Sequence, residues 1–113
     1  MFSKVTKMSG NPLDIFKEFD PKVLENWKNM QELTFAEGAL SAKTKLLMAM
    51  AIDSGNGALQ GAVAISRRAI KMGATKEEIV EALRVAYSIG GNEALFTSAL
   101  VLQALFKQGG SPR

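Results

Sequence analysis

The residues with chemical reach gather at two places in this 113-residue sequence. Asp53, Ser54 and Asn56 stand at a Gly55-Asn56-Gly57 break, and Arg67, Arg68 and Lys71 follow in the next helical run. Asp53 has the chemistry of a lone general acid or base, although a solvated charge at a helix end is its plainer role. Asn56 is placed to cap the helix that follows the break. Arg67 or Arg68 offers a guanidinium to an anionic ligand, a substrate carboxylate or an acidic partner. What is missing constrains the chemistry further. The chain has no cysteine and no histidine. Disulfides, thiol redox chemistry and thiolate or imidazole metal sites are therefore excluded. So is any nucleophile activated by histidine. The remaining residues imply no metal and no cofactor.

The elements that must position these residues are helical throughout, because no segment alternates polar and apolar with period two. Pro12 suits the first turn of a short first helix carrying Leu13, Phe16 and Phe19. Asp20-Pro21 reads as an N-cap followed by proline, opening a second helix with Val23, Leu24, Trp27, Met30, Leu33 and Phe35 as its apolar stripe; Gly38 is its expected end. Ser41 caps a third helix from about Ala42 to Ser54, with Leu46, Leu47, Met50 and Ala51 facing inward. Lys43 and Lys45 sit near its start, where cations are electrostatically misplaced, and this points to an acidic partner for them. A fourth helix runs from about Ala58 to Met72, with Gly73 as its left-handed terminal glycine. Thr75 and Glu78 form a capping box for the fifth, whose inner face is Ile79, Leu83 and Ala86. Gly90-Gly91 ends it. Asn92 is the expected cap of a sixth, with Leu95, Phe96, Ala99, Leu102 and Phe106 as its stripe. Tyr87 and Glu93 are further polar residues that the pattern does not place.

This amounts to an all-α, single-domain bundle of about six helices spanning residues 12–108, with flexible ends at 1–11 and 109–113. A net charge of +3, without a basic stripe interleaved with aromatics, does not point to nucleic acid. The longest apolar run, Leu46 to Ile52, is far too short to span a bilayer, and no signal pattern opens the chain, so a cytoplasmic location is expected. The third, fourth and sixth helices are apolar over wide faces, more than a chain of this length can hide, so a homo-oligomer is expected.

The stretch from Glu37-Gly38-Ala39-Leu40-Ser41-Ala42-Lys43-Thr44-Lys45 through the Gly-Asn-Gly break to Gly73-Ala74-Thr75-Lys76-Glu77-Glu78-Ile79-Val80-Glu81-Ala82-Leu83 resembles the carboxymuconolactone decarboxylase family, which includes alkyl hydroperoxidase D. The resemblance covers about three quarters of the chain. It implies a helical domain that assembles as trimers or hexamers, with decarboxylase or peroxidase activity. Redox members of that family carry a Cys-x-x-Cys pair at the start of the fourth helix, a histidine one turn later and a glutamate in the preceding helix. The helix N-terminus favours a thiolate, the i, i+3 cysteines share a face, and the histidine relays protons. Counting back from Gly73, the two cysteine positions fall on Ala58 and Gly61, the histidine on Ile65 and the glutamate on Leu46. The histidine and glutamate of decarboxylase members would fall on the same Ile65 and Leu46.

No group of the relay is present, so the expected function is that of an oligomeric scaffold binding a small apolar or anionic ligand or a partner chain, without the family's redox activity. The alternative is an enzyme with altered, cysteine-independent chemistry. Gly61, costly inside a helix by about 1 kcal/mol against alanine, must accommodate either a closely packed helix or a ligand. The ligand-binding candidates are Asp53, Asn56, Arg67 and Arg68.

Overall fold

The computed structural model describes residues 11–107, and these residues contain helices and no strands. Of the expected flexible ends at 1–11 and 109–113, residues 1–10 and 109–113 lie outside the described residues. A 3₁₀ turn (Pro12–Ile15) leads into α1 (Phe16–Phe19) and then α2 (Pro21–Phe35); α3 (Ala42–Gly55), α4 (Leu59–Lys71), α5 (Lys76–Gly90) and α6 (Asn92–Phe106) follow. The chain clusters into two compact units, one running to Ala36 and the other beginning at Glu37.

In the first unit, Asn11 caps the 3₁₀ turn by accepting from the Leu13 N–H at 2.9 Å. Asp20 does the same for α2, its Oδ1 accepting from the Val23 N–H at 3.2 Å with Pro21 at the first helical position. The helix stops at Phe35, three residues before Gly38, because Ala36 already turns extended. Of the expected α2 stripe only Leu24 is buried, and Leu33 is 77% exposed.

The second unit is a four-helix arrangement in which α3 packs against α4, α5 and α6. Its helix starts are fixed locally. The Ser41 hydroxyl accepts from the Thr44 N–H at 3.0 Å, and Glu37 reaches forward to accept from the Ala42 N–H at 3.2 Å. Thr75 and Glu78 form the full capping box, each accepting the other's backbone N–H at 3.0 Å. Glu78 has a second role: its Oε2 receives the Lys43 ammonium at 3.0 Å. The acid that the misplaced Lys43 calls for is therefore within the chain, and the ion pair ties the start of α3 to the start of α5.

The core consists of Leu46 and Met50 from α3, Ala62, Ser66 and Ala69 from α4, Ile79, Leu83 and Ala86 from α5, and Ala94, Thr97, Ser98 and Val101 from α6. The α6 face differs from expectation. Leu95 and Phe96 point outward, Phe96 with 73% of its surface exposed, and small residues face the bundle instead. A helix with no charged residue between Ala94 and Phe106 has no polar side to set its rotation. Close packing then selects the small side chains, which let three neighbouring helices approach. The start of α6 also shifts. Gly91, at φ +78°, reverses the chain directly into the helix, so Gly91 holds the cap position and Asn92 is already its first residue. No helix among the described residues is long and apolar enough to cross a membrane.

Candidate functional site

The α3–α4 junction carries three of the polar candidates. α3 continues through Gly55, and the turn closes at Asn56-Gly57, where Gly57 takes φ +74°, a left-handed conformation natural to glycine. Asn56 ends the helix before the break and does not cap the one after it. Its N–H donates to the carbonyls of Ile52 and Asp53 at 3.0 and 3.1 Å, while the following helix begins without a side-chain cap bond. The Asp53 carbonyl accepts a second bond from the Ala58 N–H at 2.8 Å, so this carbonyl links the end of α3 to the start of α4.

Ala58 is the cap residue of α4 and offers no side-chain acceptor, and the first turn of α4 contains no acid. Asp53 approaches this region from α3. A Cβ built on Gly61 would stand 2.6 Å from Asp53 Oδ2 and 3.3 Å from its Cγ. The space at Gly61 is therefore filled by a carboxylate side chain, which neither a packed helix nor a vacant pocket would have provided. Burial pushes the Asp53 carboxyl above its ordinary value of 3.8. A negative charge near a helix N-terminus is electrostatically favoured, which compensates in part for the missing cap.

The other relay positions carry apolar side chains in differing degrees of burial. Leu46 is buried in α3 at 3% exposure, Ile65 is half-buried in α4, and Ala58 is exposed at the turn. An acid at Leu46 would have no water and no histidine to meet. Among the described residues, the buried hydroxyls Ser54 Oγ and Ser98 Oγ have no hydrogen-bond partner. Ser66 Oγ, by contrast, donates to the Ala62 carbonyl at 2.7 Å.

The arginines stand further along the helix. Arg67 and Arg68 lie exposed in the second half of α4, six and seven residues beyond Gly61, about 10 Å along the helix axis. Arg68 and Lys71 occupy its last turn, where cations complement the negative helix end. Asn56 takes part in a third feature, an apolar trench of about 370 Å³ between α3 and α5. Its lining is Ala51, Ile52, Gly55, Asn56, Val85, Ala86, Ile89 and Gly90. Periodicity missed it because its floor is made of small residues that carry little signal. The four binding candidates are thus divided among a filled slot, a helix surface and a trench. No three acidic, histidine or cysteine residues come together as a metal site among the described residues.

An all-helical unit with a helix pair joined by a tight glycine turn, and with a side-chain slot in the first turn of its second helix, defines the class. The family model for carboxymuconolactone decarboxylases matches residues 21–104, and the chain belongs to that family. Among solved structures, it is similar to the apo form of a carboxymuconolactone decarboxylase family protein from Legionella pneumophila. The two share 31% identity and superpose with a TM-score of 0.80, over 91% of this chain and 92% of the other. No curated protein matches the chain significantly.

Proposed function

We propose that this chain is a cysteine-independent member of the carboxymuconolactone decarboxylase family, a cytoplasmic scaffold that assembles with itself and binds a small ligand or partner chain without redox turnover. The observation that carries the reading is the slot at Gly61. Where redox relatives hold their second thiol, this chain has no Cβ, and an aspartate carboxylate occupies the space. The buried Leu46 supports the same reading, since the relay's glutamate position is closed to water. The test is a peroxide-reduction and disulfide-reduction assay on the pure full chain. No turnover above buffer is expected. Turnover that persists in the full chain would overturn the reading.

One observation favours a second reading, an enzyme of altered chemistry. Asp53 is a partly buried carboxyl with a raised proton affinity, held beside a residue without a side chain, and this is the character of a general acid. This reading expects a decarboxylation or lactone-opening activity that Asp53→Asn abolishes while the helical content stays unchanged. If the pure protein turns over none of the carboxylate or lactone substrates tried, or if Asp53→Asn leaves any such activity intact, the second reading falls.

A further inference from the structure

We propose that the trench between α3 and α5 is the seat of a second copy of this chain. This rests on the self-assembly stated above and deepens it by naming the face.

The trench has a floor of small residues, Ala51 and Gly55 on α3 and Ala86 and Gly90 on α5, each pair one helical turn apart. The two helices touch backbone to backbone at its end: a Cβ on Gly90 would stand 3.3 Å from Gly55 Cα. Ile52, Val85 and Ile89 form the walls, and no charged side chain lines the trench. These walls project outward. Ile52 is 62% exposed, Val85 60% and Ile89 86%, and Met48, one turn before Ile52 on the same face, is 49% exposed.

A small molecule lying in the trench would cover its floor and leave the tips of these side chains in water. Only a protein-sized surface covers them. Together the four side chains expose on the order of 300–450 Å² of apolar surface, taking roughly 120–180 Å² for each fully exposed aliphatic side chain. A standard interface removes about 800 Å² from each partner, a little over half of it apolar, or about 450 Å². The patch is therefore of the size that forms the apolar centre of one standard interface. The same helical unit also carries uncharged projections, with Leu95, Phe96 and Leu100 facing outward on α6. A second copy thus offers both trench and projections, whereas a charged partner would find nothing to pair with inside the trench.

Sedimentation velocity of the full chain at tens of micromolar tests this, comparing wild type with Ile52→Lys and Ile89→Lys. Wild type is expected as an oligomer and both variants as monomers with unchanged helical circular dichroism. A second measurement keeps a native-sized side chain in place. The chain has no cysteine, so Ile89→Cys creates a single thiol. Its maleimide labelling is expected to slow at least tenfold between low and high protein concentration, while Gln60→Cys on exposed α4 labels at a constant rate. An oligomer that survives Ile89→Lys, with Ile89→Cys labelling insensitive to concentration, overturns this face and leaves self-assembly standing. A wild-type chain that stays monomeric overturns both.

Discussion

At the scale of the single residue, the meeting of Asp53 with Gly61 explains most. Gly61 carries the propensity cost of glycine in a helix, and Asp53 carries the cost of a partly dehydrated carboxylate. Each depends on the other, because the carboxylate stands where a Cβ would be. The obstructing atom is the free end of a flexible side chain, so it can swing away. Gly61→Ala is therefore expected to be neutral or to stabilise by up to about 1 kcal/mol, as the helix gains propensity and Asp53 moves into solvent. Urea unfolding measures the stability. An NMR titration of the Asp53 carboxyl should show its proton affinity falling back toward the ordinary range. The raised value also has a sign for stability. Folding favours the protonated acid, so the contribution is present at low pH and is lost as pH rises through the folded-state value. Asp53→Asn should remove that loss, gaining more over wild type at pH 7 than at pH 3. None of this was legible in the sequence. The alignment of relay positions marked Gly61 as a slot, but only the fold shows that a residue eight positions earlier reaches back to fill it.

At the scale of the element, legibility followed the range of the interaction. Asp20, Ser41 and the Thr75–Glu78 box could be read because each cap acts within three residues of itself. Gly73, at φ +100°, was readable for the same reason. The rotation of α6 was not, since an almost uncharged helix presents the same apolar character on every side and its packing is decided by neighbours distant in sequence. Asn56 misled because a cap residue is equally acceptable on either side of a two-residue turn. The close crossing of α3 and α5 shows the same dependence on distant partners and yields a contrast with Gly61. A Cβ on Gly90 would stand 2.8 Å from Ala94 Cβ and 3.4 Å from the Gly55 carbonyl oxygen, none of which can swing aside. Gly90→Ala should therefore destabilise by about 1–3 kcal/mol, despite alanine's better helix propensity. The two glycine substitutions, measured by the same denaturation, are expected to differ in sign or by at least 1 kcal/mol. At the start of α5, the Thr75 N–H, first, and the Lys43 ammonium lower the proton affinity of Glu78 below its ordinary 4.5. Its contribution is present above that value and is lost as pH falls through the lower folded-state value. Glu78→Gln keeps a capping-box side chain and removes the charge. It should flatten the acid limb of a stability–pH curve, which thermal unfolding from pH 3 to 7 would show.

At the scale of the whole molecule, the question is what keeps the family's relay groups out of this chain. The family and the all-helical architecture were legible because the phrase around Gly73 to Leu83 combines a terminal glycine, a capping box and an amphipathic stripe in one run, and the fold follows it. The division near Ala36 was not, as no proline-rich or polar linker marks it. The surrounding core is closed to an acid at the relay's glutamate position. Leu46 lies in α3 at 3% exposure, and the buried polar residues of the described core are the hydroxyls of Ser54, Ser66, Thr97 and Ser98, with no buried cation among them. Leu46→Glu would bury an acid with no histidine beside it. It should cost on the order of 3 kcal/mol or more and raise the proton affinity of the new carboxyl well above the ordinary range. Ala58→Cys is a different case, because position 58 is exposed at a helix start and a thiol there meets little resistance. For Gly61→Cys, the atoms nearest an added Cβ all belong to the flexible Asp53 side chain. The cysteine pair is thus expected to be accepted with the fold intact and to close a disulfide under mild oxidation. Adding Ile65→His and Leu46→Glu should destabilise the chain step by step. Thermal unfolding of the double and quadruple variants, alongside peroxide reduction by each, checks the order. If the quadruple variant is as stable as the double and reduces peroxide, then the core is not what keeps the relay out, and Leu46 is a neutral replacement.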